Sequence, residues 1–153
     1  MVGENKLKVY IDTSALNRIF DDQTHPRIYL ESSAVLILFE FIEKEIIQLI
    51  SSDVLLYENS RNPFEERKIF VSSVISKAKK FVEINTDILK KAKDIENTGI
   101  KGLDSIHLAC AEISRTDYFV TCDDRIIKKY NGKPSVFNPI DFVNDVLLKI
   151  IEV

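Results

Sequence analysis

The chain has 153 residues, 45% of them hydrophobic, and a formal net charge of −3. That length and apolar content suit one globular domain, residues 1–153, with a core of its own, and the small net charge gives no global sign of a nucleic-acid or membrane partner. The only two cysteines, Cys110 and Cys122, lie in apolar runs and read as buried free thiols of a reducing compartment; with two distant histidines they make no zinc spacing.

The N-terminus "MVGENKLKVYID" holds no signal-peptide apolar region, and the longest apolar run, residues 34–39, is too short to cross a bilayer. A soluble cytoplasmic protein is therefore expected. "LKVYI" (7–11) predicts a strand, after which Ser14 is placed to cap a short helix running to residue 20. Residues 21–26 read as a loop. Apolar residues at helical spacing over 27–45 predict a helix, and "IIQLI" (46–50) a second strand. Ser51 and Ser52 are possible caps of a short helix over 53–59, and Pro63 suits the first turn of the next helix. "KFVEI" (80–84) reads as a third strand, and Thr86 as the cap of a helix that Gly99 ends. A helix over 104–114, a strand over 118–121 and a short helix stopped by Asn131-Gly132 follow. "PSVF" (134–137) predicts a fifth strand, and Asn138-Pro139 opens a final helix to about residue 150. This alternation predicts an α/β/α sandwich around a mainly parallel sheet.

In such sheets ligands bind beyond the carboxyl ends of the strands, where strand order reverses. Asp12 follows the first strand and Asp123 the fourth. Glu58 comes late in the helix after strand two, and Asp104 opens an almost wholly apolar helix, where a carboxylate is costly unless it is hydrogen-bonded, paired or bound to a cation. Each acid taken singly has an ordinary explanation as a turn former, surface residue or helix cap. Their joint placement points to one crevice. Four converging carboxylates repel one another without a cation, and oxygen donors with no adjacent histidine or thiolate favour Mg²⁺ or Mn²⁺. The chemistry that follows is phosphodiester hydrolysis by an activated water.

The segments "VYIDTSAL", "SDVLLYE", "GLDSIHLACA" and "DYFVTCDD", in this order and spacing, resemble the PIN-domain nucleases, most of all the VapC-type toxin ribonucleases. The resemblance spans essentially the whole chain. It implies a three-layer α/β/α sandwich with a five-stranded sheet of order 3-2-1-4-5, and metal-dependent cleavage of RNA. It implies that Asp12, Glu58, Asp104 and Asp123 hold the metal, with Ser14 and Thr121 supporting them through hydroxyl hydrogen bonds. Asp124 is a further supporting candidate, although the Thr-x-Asp spacing prefers Asp123.

RNA needs positive charge near an acidic site. Arg61 and Arg67, close behind Glu58, are the strongest candidates for a phosphate-positioning rim; the lysines around them read singly as a solvated face first. His25 and His107 are read as structural, with a hydrogen bond from His107 into the site left open. Toxin relatives commonly form homodimers held inactive by an antitoxin, and helix 27–45 could supply that surface, although at least half of its apolar residues should face the core. The alternatives are a non-catalytic PIN-like RNA-binding or scaffold domain, or a housekeeping RNA-processing nuclease. A haloacid-dehalogenase-type phosphatase fits poorly, because Ser14 stands where its second acid belongs. A receiver domain fits poorly too, since strand three does not end on an aspartate.

Overall fold

The computed structural model describes residues 6–151. Part of the N-terminal segment read for a leader, residues 1–5, lies outside them. Three residues in a row in strand β1 (Leu7–Ile11), Val9, Tyr10 and Ile11, are fully shielded from solvent. Successive strand residues point to opposite faces, so both faces of the sheet are covered. The remaining strands are β2 (Ile47–Ser52), β3 (Lys80–Val82), β4 (Tyr118–Val120) and β5 (Ser135–Phe137). All pairings are parallel, in the order β3-β2-β1-β4-β5. This is the expected α/β/α sandwich with the expected strand order.

The helices are α1 (Thr13–Leu16), α2 (Pro26–Glu43), α3 (Asp53–Ser60), α4 (Glu65–Ile75), α5 (Thr86–Glu96), α6 (Leu103–Ile113) and α7 (Asp124–Lys129). Helix α8 (Pro139–Phe142) passes through a π-helical turn, Val143–Leu147, into α9 (Leu148–Ile151). Several predicted boundaries shift for identifiable reasons. Asp12, not Ser14, caps α1, because its carboxylate accepts from the Ala15 N–H. Helix α4 starts at Glu65, and Pro63 lies before it. Asn85 caps α5 in place of Thr86, accepting from the Ile88 N–H at 2.9 Å.

Fully buried side chains of β1, β4 and α6 all belong to the one core cluster. Tyr10 stacks on Phe119 with centroids 5.2 Å apart and planes within 7°. Leu108, Ala109, Cys110 and Ala111 of α6 are solvent-free. The cysteines are buried free thiols as expected, and burial pushes the Cys110 thiol up to about 11, which makes it a poor nucleophile at neutral pH.

One ion cluster fastens α2 to its neighbours. Glu31, fully buried on α2, accepts from Arg18 Nε at 2.7 Å, Arg27 Nε at 3.2 Å and Asn138 Nδ2 at 2.5 Å. It joins α2 to the 3-10 turn Arg18–Phe20 and to the cap of α8. Removing the carboxylate leaves the buried Asn138 amide without its acceptor and takes one partner from each of two part-exposed arginines, which keep Asp21 and Asp124. Glu31→Ala is expected to cost about 1–3 kcal/mol of folding free energy in urea denaturation; a loss below about 0.5 kcal/mol would show that the cluster is dispensable.

Candidate active site

The register Tyr10↔Phe119, Ile11↔Val120 places Asp12 and Thr121 side by side one step past the strand ends, and the Asp12 N–H continues the ladder to the Val120 carbonyl at 3.1 Å. Asp12 is only 4% exposed. Its Oδ1 accepts from the Ser14 hydroxyl at 2.6 Å and the Ala15 N–H at 3.1 Å, and its Oδ2 accepts from the Thr121 hydroxyl at 2.5 Å. Each hydroxyl also accepts from the turn after β4: Ser14 from the Cys122 N–H at 3.0 Å, Thr121 from the Asp123 N–H at 3.0 Å. Ser14 and Thr121 therefore clasp Asp12 to the turn that carries Asp123. Burial raises the Asp12 pKa, and these hydrogen bonds oppose the rise.

Glu58, late in α3, meets a second polar group. Its Oε1 accepts from the Thr13 hydroxyl at 2.8 Å and bonds His107 Nε2 at 2.6 Å. His107 Nδ1 lies 2.7 Å from the Tyr10 hydroxyl, which lies 2.6 Å from the Ser52 hydroxyl. With a neutral imidazole the protons count out in one direction: Ser52 donates to Tyr10, Tyr10 to Nδ1, and Nε2–H to Glu58. The chain closes with Ser52 accepting from the Leu55 N–H as the cap of α3. Burial pushes the Glu58 pKa up, but the His107 and Thr13 hydrogen bonds outweigh it and the net shift is downward.

Asp104 stands in the first turn of α6, half-buried. The helix is entered through Gly102, at φ 65° and ψ −141°, a backbone region open in practice only to glycine. Burial raises the Asp104 pKa first, and the charges of Asp123 and Glu58 add to it against His107 and Arg125. Asp123 caps α7, accepting from the Arg125 N–H at 2.9 Å, while the Arg125 guanidinium sits on its Oδ2 at 3.0 Å. Arg125 lowers the Asp123 pKa, chiefly by that side-chain hydrogen bond.

All four acids line one open cleft of about 490 Å³ at the carboxyl edge of the sheet, together with Ser14, Arg61 and Arg67. Thr121 lies behind it, fully buried. Arg67 is already engaged, with Asp21 at 3.2 Å, with the Phe20 carbonyl at 2.9 Å and with the Phe64 ring at 4.8 Å. Among the described residues Arg61 rests only on Tyr57, 5.9 Å from its centroid. Asp124 is not among the residues that line this cleft; it is exposed and forms a two-pronged pair with Arg27, at 2.7 and 2.8 Å. The sequence gives no sign of Tyr10, Thr13 and Ser52, whose hydroxyls meet the site only through the fold. His107 stands out as the residue three after Asp104, but its partner Glu58 lies 49 positions away.

Among the described residues, no three Asp, Glu, His or Cys side chains converge closely enough to enclose a metal by themselves. The donor chemistry nevertheless fits a hydrated hard cation. It is all oxygen, and both the Asp104 carboxylate and Glu58 Oε2 lack hydrogen-bond donors among the described residues. Magnesium keeps several waters and asks few carboxylates of the protein.

The family model for the PIN domain matches residues 9–133. The chain belongs to the PIN domain family. Solved structures share this fold. A chain of VapBC2 from Rickettsia felis, determined bound to a DNA fragment from their promoter, superposes with a TM-score of 0.56 at 12% identity, covering 86% of this chain and 98% of the other. PAE2754 from Pyrobaculum aerophilum gives a TM-score of 0.52 at 16% identity, covering 98% of this chain and 94% of the other. At these identities the likeness is one of fold. No curated protein sequence matches the chain.

Three substitutions probe Asp104 and the support of Glu58 in this PIN domain. Folding raises the Asp104 pKa, so the native state binds that proton more readily than the unfolded chain. The ionised group therefore weakens the fold at neutral pH, and the penalty is relieved as pH falls through the folded pKa. In metal-free buffer Asp104→Asn should melt above the parent at pH 7, with the gap closing at acid pH; a lower melting point at pH 7 would contradict this. His107→Ala opens a cavity and strips Glu58 of a donor, an expected loss of about 3 kcal/mol in urea. Tyr10→Phe should lose less, about 1–2 kcal/mol, since the ring packing stays but buried His107 Nδ1 loses its donor and the Ser52 hydroxyl its acceptor.

Proposed function

We propose that this PIN domain is a Mg²⁺/Mn²⁺-dependent endoribonuclease that acts as the toxin of a toxin–antitoxin pair. One observation carries the reading. Four carboxylates, delivered by the ends of β1 and β4 and by α3 and α6, line one open cleft whose rim holds Arg61 and Arg67.

Asp12, Glu58, Asp104 and Asp123 would hold the ion. When bound, it supplies polarisation of a phosphoryl oxygen and activation of a water. The protein's own part is positional. Ser14 and Thr121 fix the plane of the Asp12 carboxylate, and Thr13 and His107 fix Glu58, the kind of support that orients ligating carboxylates. Arg61 and Arg67 are placed to hold phosphates flanking the scissile bond.

Likeness of fold to a chain of a VapBC2 complex supports an antitoxin partner. On α2, Tyr29, Leu30 and Leu36 are exposed, which suits such a partner or a second copy in a homodimer. The reading takes the chain as one domain over residues 1–153 in the cytoplasm. No described helix is long and apolar enough to cross a membrane.

The test is cleavage of single-stranded RNA with Mn²⁺, with chelator, and with Asp12→Asn and Asp104→Asn. The parent should cut only with metal. Each variant should fall by about 100-fold or more, equivalent to ~2.7 kcal/mol of barrier. Mn²⁺ should also raise the melting point of the parent and not of the variants. Cleavage that survives both substitutions would overturn the metal assignment. A folded protein with neither metal-linked stabilisation nor cleavage would favour the non-catalytic RNA-binding module.

A further inference from the structure

A second cavity, of about 230 Å³, shares Asp104 and Asp123 with the cleft and is otherwise lined by Lys101, Arg125, Lys129 and the apolar or backbone surfaces of Gly99, Ile100 and Ile126. The two depressions thus lie on either side of the same pair of acids. The acids form a ridge with cations beyond it in both directions: Arg61 and Arg67 on one side, Lys101, Arg125 and Lys129 on the other.

The cations of the second cavity are differently engaged. Arg125 directs its guanidinium to Asp123. Lys129 reaches only the Gly99 carbonyl, at 3.5 Å, and both it and Lys101 are solvent-exposed. No ion pair to Lys101 or Lys129 is present among the described residues. A compact anion gains little here, because the ridge between the two cation groups repels it. A polyanion gains at both ends, with one phosphate over the acids and its neighbours on the cations.

We infer that the second cavity is a backbone subsite for single-stranded RNA, in which Lys101 and Lys129 hold phosphates on the far side of the acid ridge from Arg61 and Arg67. The strand then crosses the four carboxylates and does not end at them. The two halves differ in chemistry. The cleft side offers Phe64, 58% exposed and stacked under Arg67, a surface on which a base can lie. The lysine side has no aromatic lining, so it holds the backbone without reading bases. This subsite rests on the nuclease reading for its role, but not for its test.

The test is binding of a labelled single-stranded RNA oligonucleotide to the full chain in chelator, by fluorescence anisotropy over a salt series. Lys101→Ala/Lys129→Ala should weaken binding and flatten the slope of log affinity against log salt by about 1.4, near 0.7 for each phosphate that is no longer neutralised. Lys6→Ala/Lys133→Ala removes the same charge at the opposite edge of the sheet, where both residues line a separate hollow, and should leave the slope unchanged. Equal slopes in parent and Lys101/Lys129 variant, equal losses in the two double variants, or a parent that binds no RNA would each overturn the subsite. Binding that depends on Lys101 and Lys129 in a protein that never cuts RNA would overturn the nuclease reading and leave the subsite standing. If the parent does cut, the Lys101/Lys129 variant should raise KM with little change in kcat, since neither lysine touches the acids' hydrogen-bond partners.

Discussion

Asp12 is a buried charge at the seam between the two central strands, and the arrangement of the site depends on how that charge is satisfied. A carboxylate almost free of solvent is costly unless its oxygens are filled. Here they are filled by Ser14, Thr121 and the Ala15 N–H, and the two hydroxyls are themselves held by the N–H groups of Cys122 and Asp123. One set of bonds therefore solves three problems. It compensates the buried charge, starts α1, and fixes the turn after β4 so that Asp123 faces the same cleft as Asp12.

The remaining acids show how the fold apportions electrostatic cost. Glu58 and Asp123 have donors and are shifted toward the ionised form, by His107 and Thr13 in one case and Arg125 in the other. Asp104 has none among the described residues and is shifted the other way, by burial and by its acidic neighbours. Among these three acids, Asp104 is the one that burial and its acidic neighbours hold toward the neutral form, and it is carried by a deeply buried helix. A rigid α6 keeps that carboxylate from turning away to relieve the repulsion, as a loop residue would.

Much of this is legible in the chain. Asp12 and Asp123 can be placed because parallel strands deliver whatever follows them to one edge, and the alternation of strands and helices is plain. Glu58 and Asp104 draw suspicion because acids on apolar helices demand a reason. What escapes the sequence are hydrogen-bond partners distant along the chain. Nothing local tells that Ser52, Tyr10, His107 and Glu58 form one chain of hydroxyl, ring and carboxylate. Asp124 reads as a helper because adjacent acids look alike in a sequence, yet the cap geometry of α7 turns one inward and gives the other to Arg27. Cap positions err for a related reason: Asp12 or Ser14, and Asn85 or Thr86, are equally good formers on paper, and only the folded backbone shows which side chain accepts the first free N–H, that of Ala15 in one case and Ile88 in the other.

Gly102 sets where α6 begins, and through it where Asp104 points. Its φ of 65° and ψ of −141° are the mirror image of ordinary extended backbone, and a side chain built there meets nothing within 4 Å. The position thus has room for a methyl group but not the handedness for one. An L-alanine at 102 would have to unwind the entry to the helix to relax, although nothing crowds its methyl group. The constraint at this position is handedness rather than size.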